Sequence, residues 1–207
     1  SNYVGDANKP YIEGRYYRPM NATGGIRAPG TAPGADGISC IPAVFSHRAV
    51  IDMLGVDITT LSVGGNVQVA IYTNFDSQPD RFVAATPSML TTLAGGVEAL
   101  LPIPVAVGPG TVIGGLAWFC TNSDNATSAY QTVGASLGGI SAAIGANTLN
   151  RVLVAPLTGL FCDGGVALCN GGVSTFGTWP LSLRRSAWDH QTSDAQAWPA
   201  FRVGSEP

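Results

Sequence analysis

The chain has 207 residues, a net charge of -3, 11% charged residues, 27 Gly and 14 Pro. Its length suits one large domain more simply than two small ones, and sparse charge with abundant breakers favours short strands and turns over long surface helices. Ten Lys and Arg spread thinly along the chain form no basic stripe for a phosphate backbone, and no window approaches the roughly 18 uninterrupted apolar residues of a membrane span, so nucleic acid and membrane insertion are not expected.

The chain starts Ser1-Asn2-Tyr3 with neither an initiator Met nor a signal-like segment, the pattern of a processed chain or a piece of something longer. Residues 1–37 read as an irregular arm or linker, broken at Gly24-Gly25 and through Ala28–Gly34. Short β-favouring runs then follow at Ser39–Phe45, Ala49–Ile58 and Val67–Tyr72, separated by turn residues. In the third, Val67, Val69 and Ile71 share one parity and line one face of a strand. Asn74, Asp76 and Asp80 lie in a polar stretch before Arg81–Ala85, and this arrangement reads as a hairpin loop between two buried strands.

Pro102 and Pro104 make Val97–Val107 an edge strand or extended segment. Gly108-Pro-Gly110 is a turn, and Thr111–Cys120 is expected as one long buried strand bulged at Gly114-Gly115. Further strands are expected at Ala129–Val133, Arg151–Ala155, Leu181–Leu183 and Ala200–Val203, while Ser136–Asn147 is a glycine-rich loop or a poor helix. This spacing is that of an all-β protein: an antiparallel, jelly-roll-like β-sandwich over residues 38–207, preceded by the irregular arm.

Four cysteines (Cys40, Cys120, Cys162, Cys169) contain no C-x-x-C pair, so they do not read as a zinc site; of the three possible pairings, Cys162–Cys169 closes the only short loop. Asn21-Ala-Thr23 and Asn125-Ala-Thr127 match the glycosylation sequon. Two clusters carry hard oxygen ligands, Asn74/Asp76/Asp80 and Asn122/Asp124/Asn125, without the ordered spacing of a calcium loop; Asn and Asp are equally the residues that hairpin turns use. His47 receives no role.

Gly134-Ala-Ser136-Leu-Gly138 matches the G-x-S-x-G nucleophile elbow, with Asp163 or Asp189 and His190 downstream. A chain rich in glycine produces that pattern by chance, and the hydrolase fold needs alternating strands and helices that the first 120 residues lack. The tail carries Trp179, Arg184, Arg185, Trp188, Asp189, His190 and Trp198. An aromatic face beside hydrogen-bonding groups suits a sugar, which points to Trp188, Asp189, His190 and Arg185, with Tyr130, as carbohydrate ligands. The competing reading places the tail Trp residues at the end of the core or in a subunit contact.

The succession Gly14–Pro19, Ile41–Phe45, Ile51–Thr60, Val69–Tyr72 with Pro79 after it, and Gly114–Trp118 resembles β-sandwich domains of tailed-bacteriophage virion proteins. Such domains occur in tail fibres, receptor-binding proteins and the head spikes of phage-like gene transfer particles. The resemblance covers roughly residues 14–120 and thins beyond, to Phe161 and Pro199–Phe201. It implies a non-catalytic module on the virion exterior, often trimeric, that attaches to bacterial surface polysaccharide or joins other virion proteins. It implies no cofactor.

Overall fold

A computed structural model describes residues 11–18, 27–28, 35–130, 132–133, 159–162, 175–183, 189–191, 197 and 199–205. Within them the chain is all-β, two larger antiparallel sheets packed face to face. The strands are β1 Tyr16–Tyr17, β2 Arg27–Ala28, β3 Ile38–Val44, β4 Ala49–Thr60, β5 Asn66–Phe75, β6 Gln78–Ala85 and β7 Met89–Leu90. They continue with β8 Gly95–Val107, β9 Leu116–Ser123, β10 Ala129–Tyr130, β11 Thr132–Val133, β12 Gly159–Cys162, β13 Asp189–Gln191 and β14 Ala200–Val203.

One sheet runs β1-β14-β4-β10, with β8 along the other edge of β4; the second runs β13-β12-β3-β9-β5-β6, with β7 also on β5. A two-stranded pair, β2 with β11, stands beside them. Between the sheets lies the main core, to which β4 sends Ile51, Leu54, Val56 and Ile58, β5 sends Val67, Val69 and Ile71, and β9 sends Phe119. This is the inward parity expected for β5, realised in full.

The second sheet is also covered on its outer face. Tyr72, Trp118, Cys40 and Cys120 form a second buried cluster closed by Leu183 and the half-buried Trp179. The segment 175–183 is strapped there by hydrogen bonds: Tyr72 Oη donates to the Pro180 carbonyl (2.8 Å), Leu183 N to the Asp80 carbonyl (2.7 Å) and Phe82 N to the Leu181 carbonyl (3.0 Å). Residues 181–183, expected as a strand, therefore form this strap, with a single bridge from Ser182 to Arg81. Trp179 takes the core role, its indole N–H donating to Gln68 Oε1 (3.2 Å).

The β5–β6 hairpin is present where it was expected. Asp76 and Ser77 both have positive φ (49° and 60°) between the paired residues Phe75 and Gln78, the two-residue connection whose twist matches that of the flanking strands. The expected long strand over 111–120 is shorter. Thr111 to Gly115 form a turn, closed by the Gly108–Gly114 bridge, with Gly114 at φ 78°. Thr111 Oγ1 donates to the Gly108 carbonyl (2.8 Å) and accepts from Gly114 N (3.2 Å). The glycine pair ends a loop rather than bulging a strand.

Residues 11–18 of the arm join the first sheet through β1, while Arg27–Ala28 pair with β11. Tyr16 pairs with Arg202 and Tyr17 with Phe201. Tyr17 stacks on Phe201 at 5.7 Å, and Tyr11 meets Phe201 and Phe45, each at 6.0 Å. Phe119 stacks on the other side of Phe201 at 5.7 Å. Both ends of the chain are thus anchored to one aromatic cluster. The expected strand 151–155 and the loop or helix 136–147 lie outside the described residues.

Cys40 and Cys120 face each other across β3 and β9 and form a disulfide spanning 80 residues of sequence; Cys169, of the short-loop pairing Cys162–Cys169, lies outside the described residues. A bridge that long removes much of the unfolded chain's freedom. Replacing both cysteines by Ala is expected to lower stability by about 2–4 kcal/mol, read as a lower urea midpoint; an unchanged midpoint would place the stability of the β3–β9 pair in packing alone.

Candidate functional site

The second sheet's outer face carries the strap, and among the described residues the first sheet keeps an open outer face. There the strands alternate as a half-buried sheet should: in β8, Gly96, Glu98 and Leu100 point outward while Leu101 is buried. Gly55 pairs with both Ala200 and Glu98, and Asp57 with Gly96. Three short residues, Gly55, Gly96 and Ala200, are therefore neighbours on one face, and the missing side chains leave a hollow of about 380 Å³.

Tyr16, Arg18, Asp57 and Glu98 line the hollow around this floor. The Tyr16 side chain is 49% exposed, and its hydroxyl donates to Met53 Sδ (3.3 Å). Burial, followed by the neighbouring Glu98 carboxylate, pushes the phenol's pKa upward against an opposing pull from Arg202. It stays protonated at neutral pH, its single proton given to Met53 Sδ, a weak acceptor that a stronger one can displace. Arg202 sits in the next row, locked to Asp52 through Nε (3.0 Å) and Nη2 (2.7 Å).

The two glycines serve different ends. A Cβ on Gly55 would lie 2.6 Å from the Val97 carbonyl oxygen and 3.0 Å from Glu98 Cβ, so the close approach of β8 to β4 requires glycine there. A Cβ on Gly96 would meet nothing within 4 Å. Its lack of a side chain keeps the hollow open and is not demanded by packing.

A second concavity, of about 760 Å³, lies where the edge strands β6 and β8 adjoin. Its lining is apolar apart from Thr73 and Arg81. Within that lining Ile103 is 70% exposed and Val112 is fully exposed. It lacks the converging donors and acceptors that orient a sugar.

The residues expected to bind carbohydrate do not converge among the described residues. Tyr130 is fully buried in the core, its hydroxyl donating to Ser123 Oγ (3.0 Å), and burial raises its pKa. It cannot touch a glycan, and its assignment as a sugar ligand is corrected to a core residue with a satisfied hydroxyl. The backbone of Asp189 and His190 lies in β13, at the edge of the other sheet. Trp188, Arg185 and the candidate nucleophile Ser136 lie outside the described residues. Sequence reasoning missed Tyr16, Arg18, Asp57 and Glu98 because they come from separate segments; the only local signal was the small outward position of β8.

The oxygen-rich clusters have structural work, and Asn74 and Asp80 lie in β5 and β6 rather than in the turn between them. Asn74 Oδ1 accepts the Trp118 indole N–H (2.9 Å), and Asp80, 8% exposed, accepts from Ser182 Oγ (3.3 Å). Asp124 accepts from the Asn66 backbone N (2.7 Å), Asn66 Nδ2 (2.7 Å) and Asn125 Nδ2 (3.0 Å). The amide of the Asn125 sequon also donates to Ser123 Oγ (3.1 Å), while its oxygen accepts from Ser128 N (2.7 Å). The side chain that a glycan would use is thereby committed to the loop.

Burial raises the Asp124 pKa, but hydrogen bonds from Asn125 and Asn66 outweigh it and hold the carboxyl below the usual range. A depressed folded pKa contributes stability that is present above the unfolded value of about 3.9 and lost as pH falls through the folded value. Thermal stability is expected to fall over that acidic window, and Asp124→Asn to remove this part of the pH dependence. A wild-type and variant pair with parallel melting profiles from neutral to acidic pH would contradict this account.

No protein-family model matches the chain, and no curated protein matches it.

Proposed function

We propose that this protein is a non-catalytic module of the exterior of a phage or phage-like particle, a fibre or spike domain that attaches to bacterial surface polysaccharide. The observation that carries the reading is the hollow in the open sheet face. A half-exposed Tyr16 ring stands beside Arg18, Asp57 and Glu98 over a floor without side chains. A ring covers the apolar face of a sugar, while carboxylates and a guanidinium accept from and donate to its hydroxyls. The β-sandwich, and the resemblance of residues 14–120 to virion domains, support the same reading.

A second reading, a structural virion domain without a ligand, is favoured by the apolar concavity between β6 and β8. Its lining includes the exposed Ile103 and Val112, an uncovered apolar surface among the described residues. A second copy of the chain could cover that apolar surface with its own, as contacts between identical subunits do. The two readings are compatible, since attachment modules commonly gain avidity by repetition. The mass of the protein in solution tests the contact, a trimer being the expected state.

The test of attachment is adsorption of the folded protein to whole cells or isolated surface polysaccharide. Tyr16→Ala is expected to weaken adsorption by about tenfold or more, and Gly96→Tyr to block it while leaving the melting temperature near that of the parent. Loss of adsorption on Trp188→Ala with none on Tyr16→Ala would move the site to the tail. Unchanged adsorption in all three variants would remove both sites.

A further inference from the structure

We infer that the hollow takes a single uncharged sugar unit and discriminates against acidic polysaccharide; this rests on the glycan reading above. At about 380 Å³ the hollow lies near the lower end of the roughly 300–1,000 Å³ found for small-molecule clefts. That suits one sugar unit better than a run of several. It lies in the sheet face between the edge strands β1 and β8, so a chain longer than one unit passes beyond it over the surface.

The charges decide the class. Two carboxylates, Asp57 and Glu98, and one guanidinium, Arg18, line the hollow. The nearby Arg202 is held by two hydrogen bonds to Asp52, and its charge is compensated there. The lining therefore carries an excess of one negative charge, within a chain of net charge -3. Tyr16, kept protonated, adds a neutral donor. Sugar hydroxyls donate to the carboxylates and accept from Arg18 and Tyr16, so an uncharged ring can satisfy both kinds of partner. A uronate would bring a further carboxylate against Asp57 and Glu98, losing hydration and gaining repulsion. The outward position of Glu98 and the absence of a side chain at Gly96 are thus specificity determinants as well as shape.

The experiment titrates the intact protein, by calorimetry or amide chemical-shift mapping, with two probe sets of equal length. One is uncharged hexose oligosaccharides of gluco, galacto and manno type; the other is polyuronate oligosaccharides. The expected result is binding of an uncharged member that Tyr16→Ala weakens by about tenfold and that changes little between low and high salt. Polyuronates are expected to bind at least about tenfold more weakly, and the double variant Asp57→Asn, Glu98→Lys to reverse the order. Tyr16-dependent binding that favours a polyuronate in the parent protein would overturn the inference and leave the glycan reading in place. Absence of Tyr16-dependent binding by either set would overturn the inference together with the assignment of the hollow as the attachment site.

Discussion

The architecture depends on the burial of β9 from both sides. Its alternation sends Phe119 into the core between the sheets and Trp118 and Cys120 into the cluster under the strap. A strand buried on both faces must have both layers supplied by other parts of the chain. The first sheet covers one side, and among the described residues the segment 175–183, from late in the sequence, covers the other. Trp118 can be buried there because Asn74 accepts its indole N–H; unpaired, that donor would oppose burial. The disulfide to β3 lies in the same outer layer.

Covering one sheet twice has a consequence for the other. The strap is used on the second sheet, so the first retains the open face among the described residues. The same face is where the two ends of the sequence meet, because β14 lies between β1 and β4. Tyr16 and Arg18 arrive from the arm, Ala200 from the end of the chain, and Gly55, Asp57, Gly96 and Glu98 from β4 and β8. The hollow exists only once all of these are docked, and Phe201, packed between Tyr17 and Phe119, is the link that docks them. Folding and site formation are therefore coupled: a change that loosens the arm from Phe201 acts on the site without touching it.

The oxygen-rich loops illustrate how residue type alone overstates chemistry. Asn74 and Asp80 serve an indole and a strap serine, and Asp124 ties the start of β5 to the loop that follows β9. Each is a polar group satisfying a neighbour that would otherwise be buried unpaired. Asp76 stands at the hairpin tip for its tolerance of positive φ.

What the sequence determined by itself was local. Period-two patterning with Gly and Pro punctuation is written in consecutive residues, and so the all-β class, the β5–β6 hairpin and the strands β3, β4 and β14 were legible within a few positions of their ends. The edge character of β8 was legible too, because proline cannot donate to a ladder. Tertiary structure alone decided which parities met a second layer. Tyr130 looks like an exposed aromatic by position and is packed inward, since the segments that cover it come from distant parts of the chain. It also paired Cys40 with Cys120, 80 residues apart, through the register of β3 on β9. And it made the hollow: a gap in a sheet face is a relation among four strands, and no stretch of sequence carries the side chains that are missing from it.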